Sequence, residues 1–220
     1  MLQVNNLVGF GAGGSPSITE SSYTGNHVSS GSFNIFSESV AIGAADENRL
    51  VVVGIGMSGT DASLGDPSSW GITIGGVSAT IHAEHSIESG SEYYSACICS
   101  AVVPTGTTAT VAGNNEQTAS NLAIGAVRIV HGGTLTVTTD SATNGSASLA
   151  HVAGSVTVAI GQENSTSTNI AFANTTEEFE DDDGPGSNLG FAHRLHDVAS
   201  DVTVTDSATF YALIANFSVS

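Results

Sequence analysis

A run of consecutive apolar residues at positions 50–55, LVVVGI, constrains the fold of this chain more than any other stretch. Successive side chains of a β-strand point to opposite faces, and here both faces are apolar. Leu50 and Val52 lie on one face, while Val51 and Val53 lie on the other. A half-exposed strand would alternate apolar with polar residues. The run therefore predicts a strand that is buried on both faces.

Two further stretches predict strands that accompany this one. Gly75 and Gly76 lie between the segments ITI and VSATI, and a Gly-Gly pair tolerates the positive φ of a tight hairpin turn. Residues 92–103, EYYSACICSAVV, carry small side chains on both faces, which favours close contact between two sheets. We expect these strands to form the centre of an all-β core in which Val52 and Ile74 are buried.

The rest of the chain continues the all-β pattern. Short Val/Ile-rich segments are separated by Gly, Asn, Ser and Thr, which is typical of a β-sandwich or barrel, and no window of 11 or more residues has a helical stripe. Residues 33–35 and 40–42 predict two short strands before the central run. The last run, Ala208 to Val219, is apolar on both faces and predicts a strand in the middle of a sheet.

We divide the 220 residues into an N-terminal arm with a first short strand, residues 1–26, and a β-sandwich domain, residues 27–220. Leu7, Val8 and Phe10 supply the apolar side chains of the arm. Two interpretations stay open for them: an edge strand with a flexible exit, or an arm that docks on a neighbouring subunit.

The charge of the chain excludes some classes of partner. There are 21 acidic residues against three basic ones, Arg49, Arg128 and Arg194, so the formal net charge is −18. Nucleic-acid binding needs clustered Lys or Arg, and anionic membrane surfaces attract the same residues. We therefore expect neither nucleic acid nor membrane as a partner. The opening residues also lack the pattern of a signal peptide, and no run approaches the length of a membrane span.

The two cysteines, Cys97 and Cys99, are one residue apart on one strand face. They are too close in sequence for an ordinary disulfide, and no second pair completes a zinc site. We expect both to be small buried side chains without a redox role.

Six carboxylates crowd the segment 175–188, TTEEFEDDDGPGSN. Calcium is the natural cation for Asp181, Asp182 and Asp183, but the spacing does not match an EF-hand loop. A run of like charges repels itself and extends. We therefore expect a solvated loop and no cofactor, with calcium as the alternative.

No catalytic constellation is evident in the sequence. His82 and Glu84 would share one face of a strand while His85 points to the other, so a three-ligand zinc site would need a break in the strand. The same two alternatives, a zinc site and a polar strand end, apply to His193, His196 and Asp197. We expect a polar strand end there too. There is no G-x-S-x-G elbow, and the only tryptophan, Trp70, falls in a predicted loop.

Several stretches in the first half of the chain share a Gly/Ala/Ser/Thr/Val-rich, lysine-poor β-strand pattern: 6–11 (NLVGFG), 49–54 (RLVVVG), 74–80 (IGGVSAT) and 103–106 (VPTG). Taken together, they resemble small structural proteins of tailed bacteriophages. The resemblance includes no catalytic motif. The resemblance implies a β-sandwich, often of the jelly-roll kind, in a virion. It implies a capsid decoration (cement) protein, or a head or tail fibre module.

We therefore expect a non-enzymatic virion structural protein that is assembled in the host cytoplasm. Its expected partners are itself, as a homotrimer, and other virion proteins such as the major capsid protein. One alternative is a receptor- or glycan-binding fibre module, with Trp70, Tyr93 or Tyr94 in an exposed pocket. An alternative of another class is a secreted carbohydrate-active enzyme, which would need two carboxylates converging in a cleft.

Overall fold

The computed structural model describes residues 17–60, 64–143, 146–163, 170–184, 187–205 and 210–220. Within these ranges the chain is built from fifteen strands and one 3₁₀ turn at Pro67–Ser69. None of the described residues forms a helix with the length and apolarity that crossing a membrane requires. The strands are β1 (Ile18–Ala41), β2 (Arg49–Gly59), β3 (Thr73–Ile74), β4 (Val77–Ser78), β5 (Thr80–Ser89), β6 (Glu92–Val102), β7 (Thr108–His131), β8 (Leu135–Thr143), β9 (Ala147–His151), β10 (Val156–Glu163), β11 (Ala171–Ala173), β12 (Thr176–Gly184), β13 (Ser187–Leu195), β14 (Ser200–Thr205) and β15 (Phe210–Val219).

These strands form three antiparallel sheets. Sheet A has the order β4-β3-β7-β2-β6-β5, and β1 pairs with β7. Sheet B has the order β12-β13-β10-β15-β8, and sheet C has the order β11-β14-β9. Every recorded pairing is antiparallel, as expected when hairpins and short connections join the strands.

Sheet A rolls over itself. β1 and β7 pair along nearly their full lengths, but the early part of β7 also pairs with β3 while its later part pairs with β2. The register shifts between Phe33 and Ile35, where β7 carries extra residues, and such bulges bend strands. The folded-over part supplies Phe36, Ile74 and Val111 to a core shared with Val51 and the rest of that face of β2.

The opposite face of the central strands packs on sheet B. Val52 of β2 and Ile98 of β6 share a core with Val158 of β10 and Leu213 of β15. Glycines in sheet A make this contact close. A Cβ added at Gly125 would lie 2.6 Å from the Phe191 ring, and overlap of that kind excludes larger residues.

Sheet C covers the other face of sheet B. Ala159 and Ile214 of sheet B pack with Val202 and Val204 of β14. The molecule is therefore a stack of layers: the folded-over part of sheet A, the body of sheet A, sheet B and sheet C. β2 and β6 lie between two cores, and so do β10 and β15 of sheet B.

Most of the predicted architecture is confirmed. The chain is all-β, and its layers are consistent with a β-sandwich, while the jelly-roll connectivity stays a prediction. Val52 and Ile74 are fully buried, Cys97 and Cys99 are buried free thiols, and the final strand lies inside sheet B. The hairpin also forms, with positive φ at both Gly75 and Gly76.

Two predictions of local structure are wrong, and the boundary drawn between arm and domain falls inside a strand. The two short strands predicted around Phe33 and Val40 are parts of the single strand β1, because both pair with β7. This strand runs without interruption through residues 26 and 27, so residues 18–26 of the expected arm belong to sheet A. The acidic segment is not a loop, because Thr176–Gly184 forms the edge strand β12 paired with β13.

Candidate functional site

The structure does not describe several of the residues, or their side chains, that the sequence analysis proposed as functional. Leu7, Val8 and Phe10 precede the described residues, which begin at position 17. The backbone of Asp181, Asp182 and Asp183 lies in β12, whereas their side chains are outside the description. The docking arm and the calcium site therefore stay predictions.

The histidines of β5 are arranged differently from the prediction. A register shift between Ile81 and Ala83 turns His82 to the same side as His85. His82 lies edge-on to the Phe217 ring and His85 lies against Tyr211, both in β15. Glu84 points away and accepts a hydrogen bond of 2.6 Å from the backbone N–H of Ser68. The expectation that His82 and Glu84 share a face was wrong.

His193 and His196 do not form one site. His193 Nδ1 lies 2.7 Å from Glu178 Oε1, and its ring stacks on Tyr23 of β1. Burial, together with the Glu178 carboxylate, raises the pKa of Tyr23 to about 12. His196 lies instead at the boundary between sheets B and C, where it contacts Thr157 and His151.

The three aromatic residues considered for a glycan pocket differ in their exposure. Trp70 is buried and donates a 3.0 Å hydrogen bond to the carbonyl of Leu64, and Tyr94 is buried too. Tyr93 is half-buried at a pocket of about 250 Å³ that Asp66 and Glu88 also line. Tyr94 lines this pocket as well, and Trp70 lines another, but Tyr93 is the most exposed of the three.

A buried arginine is the most heavily bonded side chain in the described part of the molecule. The guanidinium of Arg49 is fully buried and donates hydrogen bonds to six backbone carbonyls. These acceptors belong to the β1–β2 connection and to the β6–β7 connection, and they are Ile42, Gly43, Ala44, Val103, Thr105 and Gly106. Arg49 therefore clamps two connections together. Sequence reasoning counted it only as one of three cations.

Two stacked histidines form the most distinctive polar cluster at the sheet B–sheet C boundary. The ring centroids of His151 and His196 are 3.4 Å apart, and both side chains are buried. His196 Nε2 lies 3.0 Å from the Thr157 hydroxyl, which donates to Asn216 Oδ1 at 3.1 Å. Since that hydroxyl uses its proton on Asn216, it accepts from His196, which therefore carries its proton on Nε2.

The other half of the cluster belongs to sheet C. His151 Nε2 lies 2.8 Å from the hydroxyl of Ser200, its partner in the β9–β14 pairing. His151 Nδ1 is buried and meets no partner in hydrogen-bonding geometry. The chain of contacts from Asn216 to Ser200 therefore crosses from one sheet to the next through the two imidazoles. The two histidines are 45 positions apart in the sequence, which explains why no local sequence pattern signalled this pair.

Burial keeps both imidazoles neutral. Desolvation, with smaller contributions from His151 and Arg194, lowers the pKa of His196 to about 4. Desolvation also lowers the pKa of His151, against the opposing influence of the Leu149 carbonyl and the Asp201 carboxylate. A charged imidazole is costly where water is excluded, so the stack is compatible only with the neutral forms.

An apolar surface lies at the same end of the molecule. Val152 and Val198, which follow the two histidines, are 58% and 66% exposed. A pocket of about 190 Å³ next to Val152 is lined by Ser17 and Val219 as well. Ser17, which lines this pocket, is the first residue that the structure describes.

No three or more His, Cys, Asp or Glu side chains are grouped closely enough to hold a metal ion within the described ranges. Comparison of the chain with protein-family models, with curated proteins and with solved structures finds no match. The arguments about function therefore depend on the site geometry and on the sequence pattern alone.

Proposed function

We propose that this chain is a non-enzymatic structural protein of a virion, a capsid decoration or cement protein that self-associates through its N-terminal arm. The observation that carries the proposal is the position of Ser17, where the arm joins the fold beside the pocket next to Val152. The apolar arm is therefore attached to the fold next to the apolar pocket at Val152, at the same end of each subunit. Each subunit then offers its arm to a neighbour and receives one in return.

The length of the arm suits such an exchange. Six residues lie between Phe10 and Ser17, and the seven Cα–Cα steps from one to the other span roughly 23 Å when the chain is extended. Leu7, Val8 and Phe10 provide the side chains that cover Val152 of the neighbour. A ring of three such contacts closes a homotrimer, and the outer faces of the ring dock on other virion proteins such as the major capsid protein.

Sedimentation-velocity ultracentrifugation of the full chain tests the exchange. We expect a concentration-dependent trimer for the native sequence and a monomer when Leu7, Val8 and Phe10 are all replaced by serine. The matched control replaces Val77 with serine, since it is also exposed (43%) but lies on β4 of sheet A. If the native chain is monomeric at high concentration, or if the triple variant still forms the trimer, the arm does not drive assembly.

A second candidate function is a receptor- or glycan-binding fibre module, which the Tyr93 pocket favours. A half-buried tyrosine offers a ring face for a sugar, and Asp66 and Glu88 offer acceptors for its hydroxyl groups. Glycan-array binding that is lost in Tyr93→Ala supports this function over cementing. Hydrolysis of a bound glycan would instead support the carbohydrate-active enzyme that the sequence left as an alternative.

A further inference from the structure

Two chain connections between sheets B and C meet at the histidine pair. One runs from β9 to β10 through residues 152–155, and the other runs from β13 to β14 through residues 196–199. Two backbone hydrogen bonds join the connections: Gly154 N–H donates to the carbonyl of His196 at 2.7 Å, and His196 N–H donates to that of Ser155 at 2.9 Å. Whatever disturbs His196 therefore acts on both connections at once.

Every element around the pair contributes a polar or charged group. β10 presents Thr157 to His196, β15 presents Asn216 to that threonine, and β14 presents Ser200 to His151. The charged groups that act on the two rings are Arg194 at the end of β13, Asp197 in the β13–β14 connection and Asp201 in β14. Arg194 disfavours a further positive charge, while the two carboxylates favour it.

We propose that the stack of His151 and His196 is an acid-sensitive latch that holds sheet C on sheet B and releases it when the imidazoles are protonated. Two like charges 3.4 Å apart repel strongly where water is excluded. Each charged imidazole is also poorly solvated in the closed arrangement, because both side chains are buried. Opening the two sheets relieves both problems, because each ring then meets water.

The pH window follows from the direction of the shifts. In the closed state the pKa of His196 is about 4, whereas in an open, solvated state it returns to the ordinary value near 6.5. The open state therefore binds more protons between these limits, so the latch is closed above about pH 6.5 and weakens as the pH falls toward 4. His151 shifts in the same direction. On its own, the shift of His196 increases the ratio of open to closed molecules by about tenfold at pH 5.5 relative to neutral pH.

Native-state hydrogen exchange between pH 7.5 and 5.5 tests the latch, with rates corrected for intrinsic pH dependence. We expect amides of β9 and β14 to lose protection by up to about tenfold, while those of β2 keep theirs. His82, His85 and His193 also have pKa values lowered by burial, but they contact sheet B or β1 rather than sheet C. Equal loss in β2 and β14 would indicate general acid unfolding and would overturn the proposal.

Histidine variants identify the groups responsible. In His151→Gln the NMR titration midpoint of His196 should rise, because the neighbouring imidazole, whose protonation opposes that of His196, is gone. The double variant, with both histidines replaced by glutamine, should abolish the pH-dependent loss of protection in β14. His131→Gln, at a half-exposed histidine of sheet A, is the control and should leave the loss unchanged. An unchanged His196 midpoint, or a double variant that still loses protection, contradicts the latch; a poorly folded variant leaves the exchange pattern of the native chain as the deciding result.

Discussion

Replacing Arg49 with methionine should destabilise this protein more than any other substitution of a single charged side chain in its described part. The guanidinium is fully buried, and its six hydrogen bonds hold the β1–β2 connection against the β6–β7 connection. Methionine keeps much of the side-chain volume but provides no donor. The Ala44 carbonyl keeps its 2.9 Å hydrogen bond from Arg128 Nε, and the other five carbonyls lose the arginine donor while the surrounding packing changes little.

The expected loss can be worked out from the burial of the acceptors. Two of the six bonds are buried, those from Nε to the Val103 carbonyl at 2.7 Å and from Nη1 to the Ile42 carbonyl at 3.3 Å. A buried acceptor left without a donor costs about 1–3 kcal/mol, so these two account for roughly 2–6 kcal/mol. The other four carbonyls are only partly buried and can turn to water. Arg49→Lys should be intermediate, because an ammonium has three donors and no fixed fork.

Urea unfolding at neutral pH measures the loss. For a domain of this size a loss of 4 kcal/mol corresponds to a fall in Tm of roughly 8–16 °C. Arg194→Met is the matched control, since Arg194 is exposed and its one recorded hydrogen bond, to the Asn174 carbonyl, is 3.4 Å long. We expect less than about 0.5 kcal/mol there. The reasoning is refuted if Arg49→Met lies within about 1 kcal/mol of the native chain, or if the two variants lose equal stability.

Three further perturbations test other parts of the structure. Val52→Ala and Ile74→Ala, at fully buried positions in two different cores, should each cost about 1–4 kcal/mol in urea unfolding. Gly125→Ala should cost about 1–3 kcal/mol, because its Cβ would lie 2.6 Å from the Phe191 ring. Millimolar calcium should raise the Tm no more than sodium chloride of the same ionic strength, because consecutive like charges such as those of residues 181–183 repel one another and salt of either kind screens that repulsion.

Each of these has its own control. Native-like melting of both core variants would show that the central strands are wrongly identified. Gly31→Ala is the control for Gly125→Ala, since nothing lies within 4 Å of a Cβ added there, and equal losses would rule out the close approach of Phe191. A calcium-specific rise in Tm that disappears when residues 181–183 are changed to asparagine would establish a calcium site.

The strands that the sequence predicted best are those buried on two faces. In β2 the side chains on both faces of the strand are apolar, and such a strand is stable only between two cores. Its position therefore follows from local composition. The Gly75-Gly76 turn was equally local, since both residues need positive φ. Such features require no knowledge of the rest of the chain.

Strands that depend on distant partners were not predicted. β1 is rich in Ser, Thr, Asn and Gly and has no sustained apolar alternation, so its 24 residues are held extended by pairing with β7. β12 is acidic, and like charges disfavour local structure, yet β13 provides a ladder of backbone hydrogen bonds for it. Pairing between strands far apart in sequence decides both cases, and single-chain patterns carry little trace of it.

The polar clusters were missed for the same reason, with one exception. His151 and His196 become neighbours only because β9 and the end of β13 meet at the boundary between sheets B and C. Arg49, by contrast, directly precedes the apolar run of β2. A cation at the start of a strand that is buried on both faces needs several hydrogen-bond acceptors nearby. The position of Arg49 could therefore have indicated its role in holding the two connections together.

Mass spectrometry of purified virions, with copy number measured against a known coat protein, tests the proposed function most directly. The proposal predicts that this chain is present in every preparation, in many copies and in a multiple of three. A small copy number confined to purified tails would favour the glycan-binding fibre module. Absence of the chain from purified particles, while it accumulates in infected cells, would contradict a structural role in the virion.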